Sequence, residues 1–488
     1  MHADLSRATF RPEKRYSAVL AQQGRVQLDA DANEQTAIEL HRDRTVAADL
    51  IGQHGGPVGA TGFRITYEAG RRGPDTLHIG EGRYYVDGIL CDATRPLPGD
   101  PAESGDDGDC PGPEADAAAA VEPPPSWSYW DQPDGHLDPE RAGDRLPGEF
   151  PYLVCLKVWE RTVTAAEDPQ LREVALGPAV PDTAARTKVV WQVLPLPGAE
   201  LELPDGEAPD ADTLRAAFRL WSHRRSAPAA RLAARSERPA GADDDPCAVP
   251  PDARYRGVEN QLYRVEVHQG GAGDGNATFK WSRENGSVVF SVAGLDGTWA
   301  ELESPGGDEK LDLHAGDLVE FGDTASVSRG EAHPLLTVEE VDLPGLRVRL
   351  SAEPPPGCGR RPHLRPFLRR WDHRAPSRKG GPASRAGALR IEEGAWTGLE
   401  DGVQVWFEKG GDYRTGDYWL IPARTVTGSV EWPADAGRQP LLRPPAGIEV
   451  HWAPLAWVQG EGTVTDLRMA FRPLAEPVPA ERSEGKKD

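Results

Sequence analysis

Three residues near the N-terminus, Asp29, Asp31 and Asn33, alternate in the way that opens a helix–loop–helix calcium site. Such a loop of about 12 residues also needs a glycine near its sixth position and a bidentate glutamate at its end. Counted from Asp29, those positions hold Glu34 and Leu40, so the turn and the closing ligand are both missing. The spacing instead predicts a helix start, with Asp31 as the N-cap and Glu34 completing a capping box.

Two further patterns resemble enzyme or metal chemistry but are incomplete. The segment "HGGP" at 54–57 resembles an esterase oxyanion loop, yet the chain has no G-x-S-x-G nucleophile elbow. We therefore interpret this segment as the termination of the preceding helix. The histidines have no H-x-x-x-H or H-x-H spacing, and His363 and His373 stand ten residues apart in a predicted loop. We expect no catalytic residue, no metal ion and no cofactor.

Carboxylates and tryptophans leave two functional alternatives open. Glu259, Glu266 and Glu408 lie on or beside predicted strands, where two carboxylates could act as a glycosidase pair. We expect instead that they are solvated strand-face residues or partners of Arg264 and Arg414. The fourteen tryptophans could line a carbohydrate groove. Several stand in apolar strand contexts that favour a core or a subunit interface: Trp159, Trp191, Trp281, Trp406 and Trp419.

Composition and charge restrict the class of protein. A chain of 488 residues has room for about two to four domains, and its 53 glycines and 46 prolines predict many turns. The net charge of −23 argues against nucleic acid or an anionic membrane as a partner. One basic stretch, 219–241, is interpreted as a solvated and partly helical connection. The five cysteines contain no C-x-x-C motif, which favours reduced thiols.

The sequence contains no targeting or membrane-spanning segment that we can identify. The opening "MHADLSRATFRPEKRY" lacks the apolar core of a secretory signal. No run approaches the roughly 18 apolar residues of a transmembrane helix. We therefore expect cytoplasmic synthesis without a signal peptide, and no membrane insertion.

Short runs rich in Val, Tyr, Trp and Leu, bounded by Gly, Pro and Asp, predict a mainly β fold. We expect several small antiparallel sheets or barrels, an N-terminal extended arm with one helix at about 31–51, and long Pro- and Gly-rich loops. The predicted segments are the arm and helix (1–62), a β-hairpin region turning at Asp87–Gly88 (63–95), a flexible acidic insertion (96–149), a β domain (150–299) with a basic helical connection near 211–240, a small barrel-like domain (300–352), a loop (353–386), a C-terminal β region (387–472) and a disordered tail (473–488).

The clearest strand pattern begins in "NQLYRVEVHQGG" and continues in "NATFKWSR" and "SVVFSVAG". Because side chains alternate along a strand, the first of these has two different faces. One face holds Leu262, Arg264, Glu266 and His268, and the other holds Tyr263, Val265 and Val267. The pair Asn285–Gly286 predicts the turn between the second and third strands.

Several stretches resemble a largely uncharacterised bacterial protein family that is encoded beside the baseplate genes of phage-tail-like contractile injection systems. The similar stretches are "ATFRPEKRYSAVLAQQGRVQLDADANEQ", "YLVCLKVWERTVTAAEDPQLREVALG", "YRGVENQLYRVEVHQGG", "ATFKWSRENGSVVF", "LEDGVQVWFEKGGDYRTGDYWLIPARTVTGSVEWP" and "GIEVHWAPLA". Together they extend over most of residues 8–456. The resemblance implies a structural subunit at or around the baseplate of such a particle, which stays in the cell or is released.

An arm followed by one helix cannot bury much apolar surface alone, so it is expected to dock on its own β domain or on a neighbouring subunit. We expect a non-enzymatic subunit that binds copies of itself in a trimer- or hexamer-type ring and other tail or baseplate proteins. The alternatives are a receptor- or glycan-binding tail fibre module and a cell-wall glycan hydrolase. The predicted subunit-contact residues are Phe10, Tyr16, Gln22, Gln23, Arg25, Gln27 and Asp29.

Overall fold

The computed structural model describes residues 2–71, 73–96, 126–177, 181–204, 208–227, 230–237, 255–272, 276–306, 309–374 and 384–474. Within these ranges the chain is mainly β, with several small antiparallel sheets and three α-helices. This confirms the predicted fold class.

The α-helices are α1 (Asp29–Ile51), α2 (Ala211–Ser226) and α3 (Thr324–Arg329). The first fourteen strands are β1 (His54–Pro57), β2 (Ile65–Glu68), β3 (Thr76–Gly80), β4 (Arg83–Val86), β5 (Ile89–Asp92), β6 (Ser126–Ser128), β7 (Tyr152–Val163), β8 (Arg186–Pro197), β9 (Leu232–Ser236), β10 (Gln261–Gln269), β11 (Gly271–Ala272), β12 (Thr278–Ser282), β13 (Val289–Asp296) and β14 (Trp299–Leu302). The others are β15 (Leu318–Gly322), β16 (Leu336–Asp342), β17 (Arg347–Leu350), β18 (Phe367–Trp371), β19 (Ser384–Arg385), β20 (Ala388–Arg390), β21 (Trp396–Gly398), β22 (Val403–Phe407), β23 (Asp412–Tyr413), β24 (Tyr418–Arg424), β25 (Ser429–Val430), β26 (Val450–Gly460), β27 (Thr463–Asp466) and β28 (Ala470–Phe471).

Three sheets share the first hydrophobic core. Their strand orders are β28-β1-β4-β5, β2-β3-β6 and β27-β26-β7-β8. The longest pairing joins β7 to β8 in register from Tyr152 to Val163. On one face of β7, Val154 and Leu156 enter this core, while on the other face Leu153 and Cys155 pack against α2. The two faces of β7 are therefore both covered, which explains its nearly continuous apolar sequence.

The remaining strands form a second packed unit and a barrel. A six-stranded sheet, β19-β20-β12-β10-β24-β25, and a three-stranded sheet, β21-β22-β9, enclose the second core. The strands β11 and β23 form a small separate ladder. The third core fills a closed barrel with the strand order β13-β14-β17-β16-β15-β18.

The predicted limits of the barrel were wrong at both ends. The barrel-like domain was predicted at 300–352, but β13 and β18 close it from outside that range, and 353–386 is therefore not simply a loop. Asn285 and Gly286 do form a turn with positive φ angles of 53° and 65°. This turn joins the six-stranded sheet to the barrel instead of making a hairpin, because β12 and β13 pair with other strands.

The predicted C-terminal β region does not form a unit of its own. Its strands complete three sheets that begin much earlier in the chain: β22 pairs with β9, β24 with β10, and β26 with β7. The predicted β domain at 150–299 is likewise divided between two sheet groups and the barrel. Local patterns marked several strands correctly, among them β7, β10 and β24, but could not assign their long-range partners.

The predicted flexible insertion at 96–149 was wrong for its second half. Residues 97–125 lie outside the described residues, as does the predicted tail from residue 475. Residues 126–149 are folded: β6 pairs with β3, and both Tyr129 and Asp144 are buried. Single large side chains anchor this segment without any repeating apolar pattern, which is why its Pro- and Gly-rich composition was misleading.

Helix α1 begins two residues earlier than predicted. Its N-cap is Leu28, and Asp31 lies inside the first turn, where its carboxylate accepts a hydrogen bond from the Leu28 amide at 3.2 Å. The N-cap prediction for Asp31 was therefore wrong. The helix ends at Ile51, as predicted, but the following "HGGP" segment is strand β1 and not only a helix terminator.

The predicted hairpin turn at Asp87–Gly88 connects β4 to β5 and lies against α1. Gly88 has a φ of +80°, and an added Cβ there would collide with the carbonyl oxygen of Arg44 in the helix. Arg44 in turn binds Glu160 of β7 through two hydrogen bonds of 2.6 and 3.0 Å. The middle of α1 is thus fixed to the first core.

We expect Gly88→Ala to destabilise the protein more than Gly410→Ala does. Gly410 has a similar φ of +76° but open space around it. The left-handed backbone alone should cost about 1–2 kcal/mol at either position, and only at position 88 must α1 also shift. Urea unfolding of both variants measures the difference, and equal losses would show that α1 does not pack on this turn.

Candidate functional site

The predicted polar face of β10 exists, but it is buried and not solvated. Arg264, Glu266 and His268 are 1%, 5% and 4% exposed, while Tyr263 and Val265 on the other face enter the second core. Strand β10 is thus covered on both faces. Buried charges need partners, because removing a charge from water raises the free energy, whereas burying apolar surface lowers it.

The partners come from four different strands. Arg264 Nε donates to Glu266 Oε2 at 2.6 Å, and Lys280 Nζ of β12 lies 3.2 Å from Glu266 Oε1. Lys280 also lies 2.8 Å from Glu320 of β15. Arg369 of β18 stands opposite Glu320 in the barrel. We call Arg264, Glu266, Lys280, Glu320 and Arg369 the buried ionic cluster, and it joins the six-stranded sheet to the outer face of the barrel.

Aromatic rings enclose this cluster. The guanidinium carbon of Arg264 lies 3.6 Å from the centre of the Tyr418 ring, and Lys280 Nζ lies 4.4 Å from that of Trp371. The Trp371 indole also donates to Glu320 at 3.0 Å. These contacts stabilise cations in a site from which water is largely excluded.

The buried ionic cluster favours the ionised form of its two carboxylates and the neutral form of the neighbouring His268. Burial opposes ionisation, yet Arg264 and Lys280 hold the pKa of Glu266 well below its usual value. Glu320 has a lowered pKa because Lys280 and Arg369 outweigh its burial. Burial, with nearby Lys280, lowers the pKa of His268 to about 4. The three cations exceed the two carboxylates, so a further positive charge on a histidine is disfavoured.

The beginning of the chain is anchored on this cluster. We call residues 2–9 the arm root. His2 Nε2 lies 2.9 Å from Glu266 Oε2, and burial, together with Arg264 and Arg369, lowers the His2 pKa well below its usual value. The amide of Asn285 donates to the Ala3 carbonyl at 2.8 Å. The predicted arm therefore docks on its own β body at its first residues.

The arm root also contacts the start of α1. The Ser6 amide donates to Asp29 at 2.8 Å, and the Thr9 hydroxyl donates to Glu34 at 2.5 Å. The ring of Phe10 packs 5.6 Å from that of His41. Asp29 and Glu34 thus accept hydrogen bonds from the arm root, and Glu34 does not complete a capping box.

Between these contacts the chain makes an exposed excursion. We call residues 11–28 the arm loop, and all of its residues except Val19 are exposed. Tyr16 is 58% exposed, Leu20 82% and Val26 84%. The Val19 amide donates to the Gln35 side chain at 2.7 Å, and this hydrogen bond attaches the middle of the arm loop to α1. Of the seven predicted contact residues, Phe10 is half-buried against α1, and the other six are exposed.

The three carboxylates singled out in the sequence are all engaged in ion pairs. Glu266 is a partner of Arg264, as one of the two predicted alternatives had it. Glu259 lies 2.7 Å from Lys310, and Glu408 lies 4.0 Å from Arg231. In the described part of the chain, no three His, Cys, Asp or Glu side chains are arranged as metal ligands.

Sequence patterns missed two carboxyl groups, those of the half-buried Glu400 and the buried Asp417. Burial raises the pKa of Glu400 to about 7, although Arg283 donates to it at 2.8 Å and Tyr263 at 3.1 Å. Burial likewise raises the pKa of Asp417 to about 7. Carboxyls that hold a proton near neutral pH are candidates for proton transfer. Glu400, however, already accepts hydrogen bonds from Tyr263 of β10 and from Arg283, which directly follows β12. Neither residue stands in a motif that could have marked it.

Comparison with protein-family models identifies the family of this chain. A family of unknown function, DUF6519, matches residues 1–211 and 210–475. The chain belongs to this family. No curated protein and no solved structure matches the DUF6519 chain. Among its described helices, none has both the length and the apolar character needed to cross a bilayer.

We expect Glu266→Gln to destabilise this DUF6519 protein by about 3–5 kcal/mol, because Arg264 and Lys280 would each lose a buried carboxylate partner. The matched control is Glu340→Gln, whose carboxylate binds Arg349 at 3.2 Å on the surface with both side chains exposed. That change should cost less than about 1 kcal/mol. Urea unfolding measures both, and similar small losses would show that the cluster is solvated.

Two buried histidines, His268 and His373, predict how the stability of the protein depends on pH. His268 and His373 have folded pKa values of about 4, below the value of about 6.5 in an unfolded chain. Because the unfolded state then binds protons first, the free energy of unfolding should fall as the pH drops from about 6.5 to 4, by on the order of 2–3 kcal/mol for each histidine. The lowered pKa of Glu266 adds a further loss below about pH 4.3.

His268→Gln should flatten the stability profile in that pH window, measured by urea unfolding at a series of pH values. His314→Gln, at an exposed histidine, is the control, and it should keep the loss of stability between pH 6.5 and 4 because His268 is still present. A His268→Gln profile that keeps the parental slope would contradict the assignment.

Proposed function

We propose that this DUF6519 protein is a non-enzymatic structural subunit of a phage-tail-like contractile injection particle, at or around its baseplate, and that it assembles through its arm. The link to such particles rests on the resemblance of the sequence segments described above. The assembly role rests on the arm loop. The proposed partners are copies of the same chain in a trimer- or hexamer-type ring and neighbouring tail proteins.

The observation that carries the assembly role is the contrast between the two parts of the arm. The arm root is fixed by His2, Ala3, Ser6 and Thr9, whereas the arm loop presents Tyr16, Leu20 and Val26 to water. When another surface covers large apolar side chains on an otherwise polar, extended segment, the free energy of the system falls.

Helix α1 adds further exposed apolar side chains to those of the arm loop. It has 23 residues, of which only Ala30 and Ile38 are buried, and Leu40, Val46 and Leu50 are exposed. A long helix with so little buried area gains its stability mainly from what packs on it. A neighbouring subunit that covers the arm loop and α1 together would supply that packing.

The polar residues of the arm loop and the first residue of α1 suit the rim of such an interface. Gln22, Gln23, Arg25 and Gln27 of the arm loop and Asp29 of α1 are exposed. An apolar centre with a hydrogen-bonding rim is the usual composition of subunit contacts. Their contact with another subunit stays a prediction, as does the expected synthesis in the cytoplasm.

We expect purified protein to form a defined oligomer by light scattering, and Leu20→Ser/Val26→Ser to shift it toward monomer. Substitution is preferable to deletion of the arm, because removing residues 2–9 would also strip His2 from Glu266. The control is Val258→Ser/Val426→Ser, which changes two side chains that are 97% and 95% exposed elsewhere. The control should keep the parental mass.

A parental protein that is folded and monomeric at all concentrations would contradict self-assembly. An oligomer that survives the arm-loop changes would assign assembly to another surface. Pull-down with neighbouring tail proteins then tests the particle itself, with the same two variants as probe and control.

A further inference from the structure

A cavity of about 410 Å³ lies beside the three-stranded sheet β2-β3-β6, outside the arm and the buried ionic cluster. This volume falls in the range of pockets that hold small ligands. One wall precedes β3 and the other follows β6. The side chains that matter below are Pro74, Asp75, Trp130, Glu140, Arg145 and Leu146.

An aromatic ring is fixed at this cavity. The Trp130 indole donates to the Asp75 carbonyl at 3.1 Å, and the Tyr129 ring meets it edge to face with centroids 5.1 Å apart. Tyr129 is buried and donates to the Asp144 carbonyl at 3.1 Å. Trp130 is therefore already ordered, so stacking a ligand on it costs little side-chain entropy.

Some polar groups of the cavity form hydrogen bonds within the protein, and others have no such partner among the described residues. The Asp75 carboxylate accepts from the Tyr67 hydroxyl at 2.7 Å and from the Gly70 amide at 2.9 Å, so it shapes the wall. Arg145 uses its Nε on the Pro139 carbonyl at 2.8 Å. Neither its terminal nitrogens nor the Glu140 carboxylate makes a hydrogen bond or ion pair with another described residue.

We propose that this cavity binds a neutral sugar ring, a hexose or an N-acetylhexosamine unit of a glycan. A pyranose has one apolar face of C–H groups that fits the Trp130 indole. Its neighbouring hydroxyls both donate and accept, which matches a carboxylate beside a forked guanidinium. The apolar surfaces of Pro74 and Leu146 complete a mostly apolar lining with few polar groups.

Charge selects against the main competitors for an aromatic site. A nucleotide phosphate or an acidic sugar would find one cation, Arg145, against the two carboxylates Glu140 and Asp75, in a chain of net charge −23. A hydroxyl-rich neutral ring has no such penalty. The binding of a sugar goes beyond the proposed assembly role and does not require it, since all six side chains belong to one copy of the chain.

The test is saturation-transfer NMR on the full-length protein with glucose, galactose, N-acetylglucosamine and di-N-acetylchitobiose as separate probes. We expect transfer to the ring protons of at least one probe, with a Kd on the order of 1 mM as is usual for single rings on open sites. Calorimetry on that probe then compares the variants.

Glu140→Gln/Arg145→Gln changes two exposed side chains and should weaken binding by about tenfold. Trp130→Leu should abolish the transfer, and Trp406→Leu, at another partly exposed tryptophan, should leave it unchanged. No transfer to any probe by the folded parental protein overturns the proposal. Binding that survives both cavity variants, or that is lost only in Trp406→Leu, also overturns it. Loss of oligomers in the arm-loop variant with sugar binding retained separates this site from the assembly role.

Discussion

The carboxylate of Glu266, held between Arg264 and Lys280, is the interaction on which the arrangement of sheet, barrel and arm depends. Arg264 and Lys280 belong to neighbouring strands of the six-stranded sheet, and Lys280 also reaches Glu320 on the outside of the barrel. A buried ion pair adds little net stability over an apolar contact, because desolvation offsets most of the attraction. Because ion pairs and hydrogen bonds are directional, however, they are satisfied in only one position of the barrel on the sheet, whereas apolar surfaces could pack in several. We infer that the cluster fixes the orientation of the barrel on the sheet.

The same carboxylate determines where the arm can go. His2 contacts Glu266, and Ser6 and Thr9 then contact the first turns of α1. Both ends of the arm loop are therefore anchored to one body, and the loop has far fewer conformations than a free tail of the same length. A binding segment that is already restricted loses less entropy when it meets a partner. The polar anchoring of the arm root and the apolar exposure of the arm loop thus act together.

The sequence predicted what short-range physics controls. Alternation separated the two faces of β10, Asp87–Gly88 and Asn285–Gly286 were identified as turns with positive φ, and α1 was placed to within two residues. What failed was long-range pairing. The barrel is closed by the pairing of β13 with β18. Most of the barrel sequence lies between these two strands, so no local pattern indicates that they are neighbours. The burial of Glu266 was not predicted for the same reason, because Glu320 and Arg369, which help to enclose it, come from distant strands.

The charged side chains of this protein fall into two states, and the difference decides where a ligand can act. Glu266 and Glu320 are satisfied by cations inside the fold, so an incoming ligand would have to displace an existing partner. Glu140 and the outer nitrogens of Arg145 stand beside an ordered tryptophan without such partners among the described residues. Acidic residues are far more numerous in the chain than either group, and composition alone gives no way to distinguish them. It is the pairing of each carboxylate, set by tertiary structure, that separates a structural charge from one that is available for recognition.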